Sequence, residues 1–318
     1  MQFDVFNGDA DGICALQQMR LTHPTPSTLI TGVKRDISLL QQVAAVADDR
    51  VLVLDISLDK NRAPLLALLA QEIEVSYFDH HYAGEIPVHP HFIPYINTDS
   101  NTCTSLLVNA HLSGAHALWA IVGAYGDNFD ERADTLAQKI GVDSDVRSQL
   151  RDLGIFINYN AYGETVEDLH IPPSQLFSKL NPYRDPLEFI AHDTAFVTLQ
   201  TGYHEDMARA AAIKAEIEAP GHALYIFPAT SWARRVCGVY ANALAQQYPQ
   251  RAHALLTELH EGGYLVSVRA PLANKTGADE LCRQFATGGG RKAAAGINQL
   301  PTVELERFIQ AFSAAYPG

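Results

Sequence analysis

Four cysteines in 318 residues are few, and Cys14, Cys103, Cys237 and Cys282 lie too far apart to form a C-x-x-C pair. That excludes a disulfide framework and a zinc knuckle, and reads as reduced thiols of a cytoplasmic protein. No apolar run approaches the roughly 20 residues that span a bilayer, so no membrane partner is expected. The opening Met1-Gln2-Phe3-Asp4 has neither a basic stretch nor an apolar core, so no secretory signal is expected. Positive charge is scarce: 23 Lys and Arg stand against 36 Asp and Glu, a formal net charge of −13. This argues against a long electrostatic track for nucleic acid. It leaves room for a small phosphorylated ligand wherever a metal or a local arginine cluster offsets the field. Internal repeats and low-complexity tracts are also absent.

What is present is ordinary globular material. Hydrophobic residues make up 47% of the chain, and the length favours two domains. The first hundred residues alternate strand-like and helix-like patterns. Phe3–Phe6 predicts a strand, Gly8 to Gly12 a tight turn and Ile13–Arg20 a helix. Thr28–Val33 predicts a strand, Ile37–Ala47 has helical spacing, and Val51–Leu54 is a continuous apolar run suited to a strand buried on both faces. Pro64–Ala70 predicts a helix and Ile73–Phe78 another strand. Such alternation implies a parallel sheet with right-handed crossovers. Helices are expected at Cys103–His111 and Ala115–Tyr125, a loop at Asn158–Gly163, and mainly helix over Leu187–Ala219. Strands and helices resume after His222. The expected organisation is an N-terminal domain over 1–185, a helical linker over 186–221 and a smaller α/β domain over 222–318, with a cleft between the domains.

The acidic residues of the first half share a position. Asp9 and Asp11 follow the first strand, Asp55 closes Val51–Leu54, and Asp79-His80-His81 follow the strand ending at Phe78. In a parallel α/β sheet the loops after the strands' carboxyl ends gather at one edge, where ligands bind. Such a carboxylate cluster is repulsive without counter-charge, and Asp oxygens with His nitrogens suit Mn²⁺, Mg²⁺ or Zn²⁺. Each piece alone has a plainer reading: Asp55 as a helix N-cap, "DADG" as a turn, the histidines as surface or core residues. On successive loops together they point to a metal.

"FNGDADG" (Phe6–Gly12), "VLVLDIS" (Val51–Ser57), "YFDHH" (Tyr77–His81) and "GAYGDN" (Gly123–Asn128) resemble the four successive motifs of the DHH phosphoesterase superfamily. "SVRAP" (Ser267–Pro271) followed by "FATGGGRKAAAGI" (Phe285–Ile297) is similar to the signature of the DHH-associated C-terminal domain. The resemblance implies two Mn²⁺ ions sharing a bridging carboxylate. Asp55 matches the bridge, Asp9 a ligand of one ion, and Asp11, His80 and Asp127 ligands of the other. His81 matches the histidine facing the substrate phosphate, and Asp79 would fix the orientation of a liganding histidine. Mg²⁺ or another divalent ion could serve in place of Mn²⁺.

Three positions depart from the pattern. Val5 stands where many members carry a histidine. Asn7 stands where the single-strand exonucleases have an acid. Arg291 stands where histidine is commoner. The ion served by Asp9 is therefore expected to bind weakly or only with substrate.

At the other end, Gly288, Gly289 and Gly290 permit close backbone approach to an anion, the alanines after them look like a helix start, and Arg291 offers bidentate hydrogen bonds to phosphate. Arg269 could join the clamp; Lys275 and Arg283 are weaker candidates. "NTCTS" (Asn101–Ser105) opens a helix, as a phosphate contact or a plain N-cap. Tyr82, Tyr125 and Phe129 flank the motifs and are read as packing residues.

The resemblance implies a metal-dependent phosphodiesterase. The acidic balance favours short linear nucleotides, such as dinucleotides or oligoribonucleotides, over a long strand. The alternatives are a cyclic dinucleotide, removal of the 3′ phosphate of adenosine bisphosphate, or a nucleotide-binding protein with an impaired metal site. A homodimer is carried as an expectation that no motif marks.

Overall fold

The carboxyl ends of the strands that carry the motif acids lie side by side because the first sheet is wholly parallel. In a computed structural model, which describes residues 1–317, its strands are β1 (Gln2–Phe6), β2 (Thr28–Ile30), β3 (Arg50–Leu54), β4 (Glu74–Asp79) and β5 (Phe92–Ile96). They run in the order β2-β1-β3-β4-β5, with every neighbouring pair parallel. Val5, Val53, Val75 and Tyr77 are completely buried in its core. α1 (Ala10–Thr22) follows β1 and α2 (Leu58–Leu69) follows β3. α3 (Thr104–His111), α4 (Ala117–Gly126), α5 (Asp130–Lys139), α6 (Ser144–Asn160), α7 (Pro173–Leu180), α8 (Pro186–His192) and α9 (Thr194–Ala211) come after the sheet. α4 is apolar on all sides and is buried from Trp119 to Gly126, as a helix inside a core must be.

A division into two compact units falls between Thr201 and Gly202, inside α9. The second unit is built on a mixed sheet of order β10-β11-β9-β8-β7-β6. Its elements are β6 (Ile217–Glu218), β7 (His222–Phe227), α10 (Ser231–Gln247), β8 (Ala252–Glu258), β9 (Tyr264–Arg269), α11 (Ala278–Cys282), β10 (Gly288–Arg291), β11 (Ala294–Leu300) and α12 (Leu305–Ala315). Only β7 and β8 are parallel. Residues 186–221 thus hold α8, α9 and the edge strand β6. Among the described residues, no helix is long and apolar enough to cross a membrane.

Several local expectations change. Gly8 to Gly12 is a helix start and not a turn: Asp9 caps α1 by accepting the Gly12 N–H at 3.1 Å. Gly12 itself is demanded by space, since a Cβ there would lie 2.2 Å from the Asn7 carbonyl oxygen. Ile37–Ala47 forms only a 3₁₀ turn, Leu40–Gln42. The Asn61 side chain accepts the Leu40 N–H and donates to the Ile37 carbonyl, so an amide from α2 pairs backbone that a helix would have paired itself. Asn158–Gly163 is not all loop, because α6 runs through Asn160. β5 had no sequence signal: it is an edge strand with Ile93, Pro94 and Tyr95 exposed, so it lacks a core-facing alternation.

β1 and α1 are joined by a buried ion pair. Arg20 donates to Asp4 through Nε at 2.8 Å and Nη2 at 2.5 Å, and Ser27 Oγ donates to the same carboxylate at 2.6 Å. Arg20→Ala removes the cation that, among the described residues, pairs with the fully buried Asp4 carboxylate. The expected loss is about 3–5 kcal/mol, read as a lower midpoint in urea unfolding.

Candidate metal centre

The motif residues meet at the carboxyl edge of the first sheet. His80 Nε2, just past β4, lies 3.4 Å from Asp55 Oδ1, 3.8 Å from Asp127 Oδ2 and 3.9 Å from Asp11 Oδ2. These partners come from the end of β3, the end of α4 and the first turn of α1. Two three-residue groups have ligand atoms mutually within 4.8 Å: Asp11, His80 and Asp127, and Asp55, His80 and His81.

The carboxylates are held in fixed poses. Asp11 Oδ1 and Oδ2 accept the backbone N–H groups of Ser105 and Thr104, each at 2.7 Å, at the N-terminus of α3. Thr104 Oγ1 donates to Asp55 Oδ1 at 3.0 Å. The "NTCTS" segment therefore positions two of the acids. Asp55 sits at φ 60°, a left-handed conformation at the strand end that a non-glycine residue holds at a cost of about 1–3 kcal/mol. Burial and then the charges of Asp11, Asp9, Asp127 and Asp79 push the Asp55 carboxyl well above the usual carboxylate range. Burial likewise raises Asp127, with Asp9 and Asp11 adding to it against the pull of Lys34.

Asp79 is fully buried and braces His81. Its Oδ1 lies 2.7 Å from His81 Nδ1 and accepts the His81 N–H at 3.2 Å. It therefore fixes the histidine that faces outward, leaving His81 Nε2 as the ring nitrogen not held by Asp79. Burial alone would lower the His81 pKa, but the Asp79 hydrogen bond and charge raise it above the ordinary imidazole value. Phe129 packs edge-on against His80 at 5.9 Å, and Tyr125 donates its hydroxyl to Asp134.

Asp9 has a different partner. Its Oδ2 receives Lys34 Nζ at 2.5 Å, and the same ammonium reaches Asp127 Oδ1 and Asn158 Oδ1, each at 3.0 Å. Burial works against the charged forms of both residues. Mutual attraction outweighs it, so Lys34 is held well above the usual lysine value and Asp9 below the usual carboxylate value.

In the second unit, the alanines after the glycines do not start a helix. β10 and β11 form an antiparallel hairpin. Gly290 has φ 139°, a conformation left to glycine, and a Cβ at Gly288 would lie 1.7 Å from the Cys282 carbonyl oxygen. The close approach at Gly288 is thus to the chain's own backbone. At Gly289 a Cβ would meet nothing within 4 Å. Arg291 pairs across β11 with Ala294, which pairs with Arg269 of β9. Directly opposed residues share a sheet face, so the two arginines flank a small side chain on one face. Arg269 is held by Asn242 Oδ1 at 2.7 Å, and Arg283 pairs with Asp279.

No family model matches the chain, and no curated protein does. Solved structures do. Exonuclease RecJ bound to manganese aligns with a TM-score of 0.65 at 16% identity, covering 98% of this chain and 89% of that one. RecJ from Thermus thermophilus in complex with Mn²⁺ aligns at 0.58 with 17% identity, covering 98% of this chain and 51% of its own. The pGpG-specific phosphodiesterase PggH from Vibrio cholerae aligns at 0.56 with 13% identity, covering 98% of both chains. The chain has the DHH phosphoesterase fold. On that fold, the motif acids and histidines occupy the sheet edge that doubly wound proteins use for ligands.

The donor set of this centre fits a divalent cation. Carboxylate oxygens and an imidazole nitrogen converge, their mutual repulsion is incompletely offset, and hard-to-borderline ions take such ligands. Lys34, Asn158, Thr104 and Ser105 were not read from sequence as parts of the centre. Lys34 was findable, since it follows β2 and so belongs to the same edge as the motif loops. Because Asp55 holds its proton more readily than an ordinary carboxyl, cation binding must displace protons. Mn²⁺ affinity should fall as the pH drops through the raised Asp55 value. Calorimetry in buffers of different ionisation enthalpy should show proton release.

Proposed function

We propose that the chain is a metal-dependent phosphodiesterase acting on short linear nucleotides. The observation that carries this is the placing of His80 Nε2 within 4 Å of Asp11, Asp55 and Asp127, beside a His81 braced by Asp79. The fold's likeness to a manganese-bound exonuclease and to a pGpG-specific phosphodiesterase supports the reaction class. The second of these matches in length, with 98% of each chain covered, and this favours a dinucleotide-sized substrate. The net charge of −13 favours it too, because a long strand needs many phosphate contacts.

Asp11, Asp55, His80 and Asp127 would hold a divalent ion, with Mn²⁺ the first choice. A divalent ion there supplies an activated water and screens the phosphoryl charge. Asp79 keeps the His81 ring turned so that Nε2 is presented outward. The raised pKa of His81 favours the imidazolium, whose Nε2–H donates to a phosphoryl oxygen or gives its proton to the departing oxygen. Lys34, fixed between Asp9 and Asp127, adds positive charge beside them. Arg269 and Arg291, aligned across β11, are assigned to a terminal phosphate, for which the guanidinium fork is well shaped.

Two measurements test this. In a Mn²⁺-supported panel of linear dinucleotides, longer RNA and DNA strands, cyclic dinucleotides and adenosine bisphosphate, the linear dinucleotides should turn over fastest, and Asp55→Ala should abolish the turnover. Nucleotide binding without hydrolysis by the wild type would instead make the chain a sensor. Asp79→Asn should lower activity about 10–100-fold, the usual effect of removing a partner that orients a site histidine. Loss of the Asp79 charge lowers the His81 pKa, so the alkaline limb of the pH–rate profile should move to lower pH. An unmoved limb would remove His81 from the acid role.

A further inference from the structure

Resting on the metalloenzyme reading above, we infer that this centre takes one divalent ion, and that the Lys34 ammonium is built into the place of a second cation. An ammonium carries three donors, and here each has an oxygen acceptor: Asp9 Oδ2 at 2.5 Å, Asp127 Oδ1 at 3.0 Å and Asn158 Oδ1 at 3.0 Å. Nothing in the donor count is left over to draw Lys34 elsewhere.

The oxygens around Lys34 are committed as well. Asp9 gives Oδ1 to the Gly12 N–H and Oδ2 to the ammonium, so a cation at Asp9 would have to compete with Lys34, which already sits on Oδ2. The Asn7 amide is spent on the Asp9 N–H and on the Lys34 carbonyl. Val5, two residues before Asn7, is a fully buried aliphatic and offers no ligand atom. Asp9 accordingly lies outside both groups whose ligand atoms converge. Asp127 sits on the boundary, with Oδ1 on Lys34 and Oδ2 3.8 Å from His80 Nε2. It is a carboxylate shared between the ammonium on one side and the metal group on the other.

The lysine is held from its backbone outward. Its N–H donates to the Ala161 carbonyl at 2.9 Å, its carbonyl accepts Asn7 Nδ2 at 3.3 Å, and Nζ stands 5.7 Å from the centre of the Tyr162 ring. Asn158 and Ala161 come from the end of α6, so that helix end and the segment after β2 jointly build the cation's seat. A lysine in this seat neutralises Asp9 without any dissolved metal, and the charge beside the phosphate then does not depend on metal concentration.

The test is the stoichiometry of Mn²⁺ on the whole chain, by equilibrium dialysis with metal analysis, alongside the electron paramagnetic resonance spectrum of the bound ion. The wild type should bind one Mn²⁺ per chain, with the sharp six-line signal of an isolated ion. Lys34→Ala, checked for a cooperative melt, frees Asp9 and Asp127 and should bind two, with a broadened, exchange-coupled signal. Two coupled ions on the wild type would overturn the inference while leaving the metalloenzyme reading intact. A Lys34→Ala protein that still takes only one would overturn it too. A wild type that binds none would sink both.

Discussion

The centre is governed by mutual repulsion among carboxylates. Asp9, Asp11, Asp55 and Asp127 are brought to one sheet edge, where burial makes every unpaired charge expensive. The chain meets that cost by separate devices. Asp11 is clasped by two backbone N–H groups at the start of α3, where the helix's unpaired donors suit an anion. Asp9 is neutralised by Lys34 and by the first turn of α1. Asp55 has one hydroxyl partner and a raised pKa. The acid with least internal compensation is the one nearest His80, which is where an external cation returns most.

Strand order turns this into a site. With β1, β3 and β4 adjacent and parallel, residues more than twenty positions apart in sequence land next to one another. The left-handed Asp55 and the buried Asp79 then set orientation, one by its backbone and one by its hydrogen bond to His81. A fold that tolerates Asp55 at positive φ and keeps a carboxylate fully buried under a histidine is accepting strain for a fixed geometry.

The departures from the family pattern acquire a physical meaning in this setting. Val5 and Asn7 look, in the sequence, like losses of ligand. In the structure Val5 is core, Asn7 is a bracket for the Lys34 backbone, and Lys34 holds the acid that would otherwise face them. Val5, Asn7 and Lys34 together form one arrangement of charge around Asp9.

The chain's sequence by itself determined the strands whose apolar runs are unbroken, such as β3, and the acids and histidines that follow them, because burial on both faces and position after a strand are local facts. It could not reveal β5, whose edge position removes the alternation, nor the irregular 37–47 segment, whose backbone is paired by Asn61 from another element. It did not reveal that Gly288 serves the chain's own backbone, or that Arg269 and Arg291 align across β11, since both depend on strand register. Above all, the Lys34–Asp9–Asp127–Asn158 cluster was decided only by tertiary structure. Its members lie up to 124 residues from Lys34, and which cation an aspartate meets is set by distance in space.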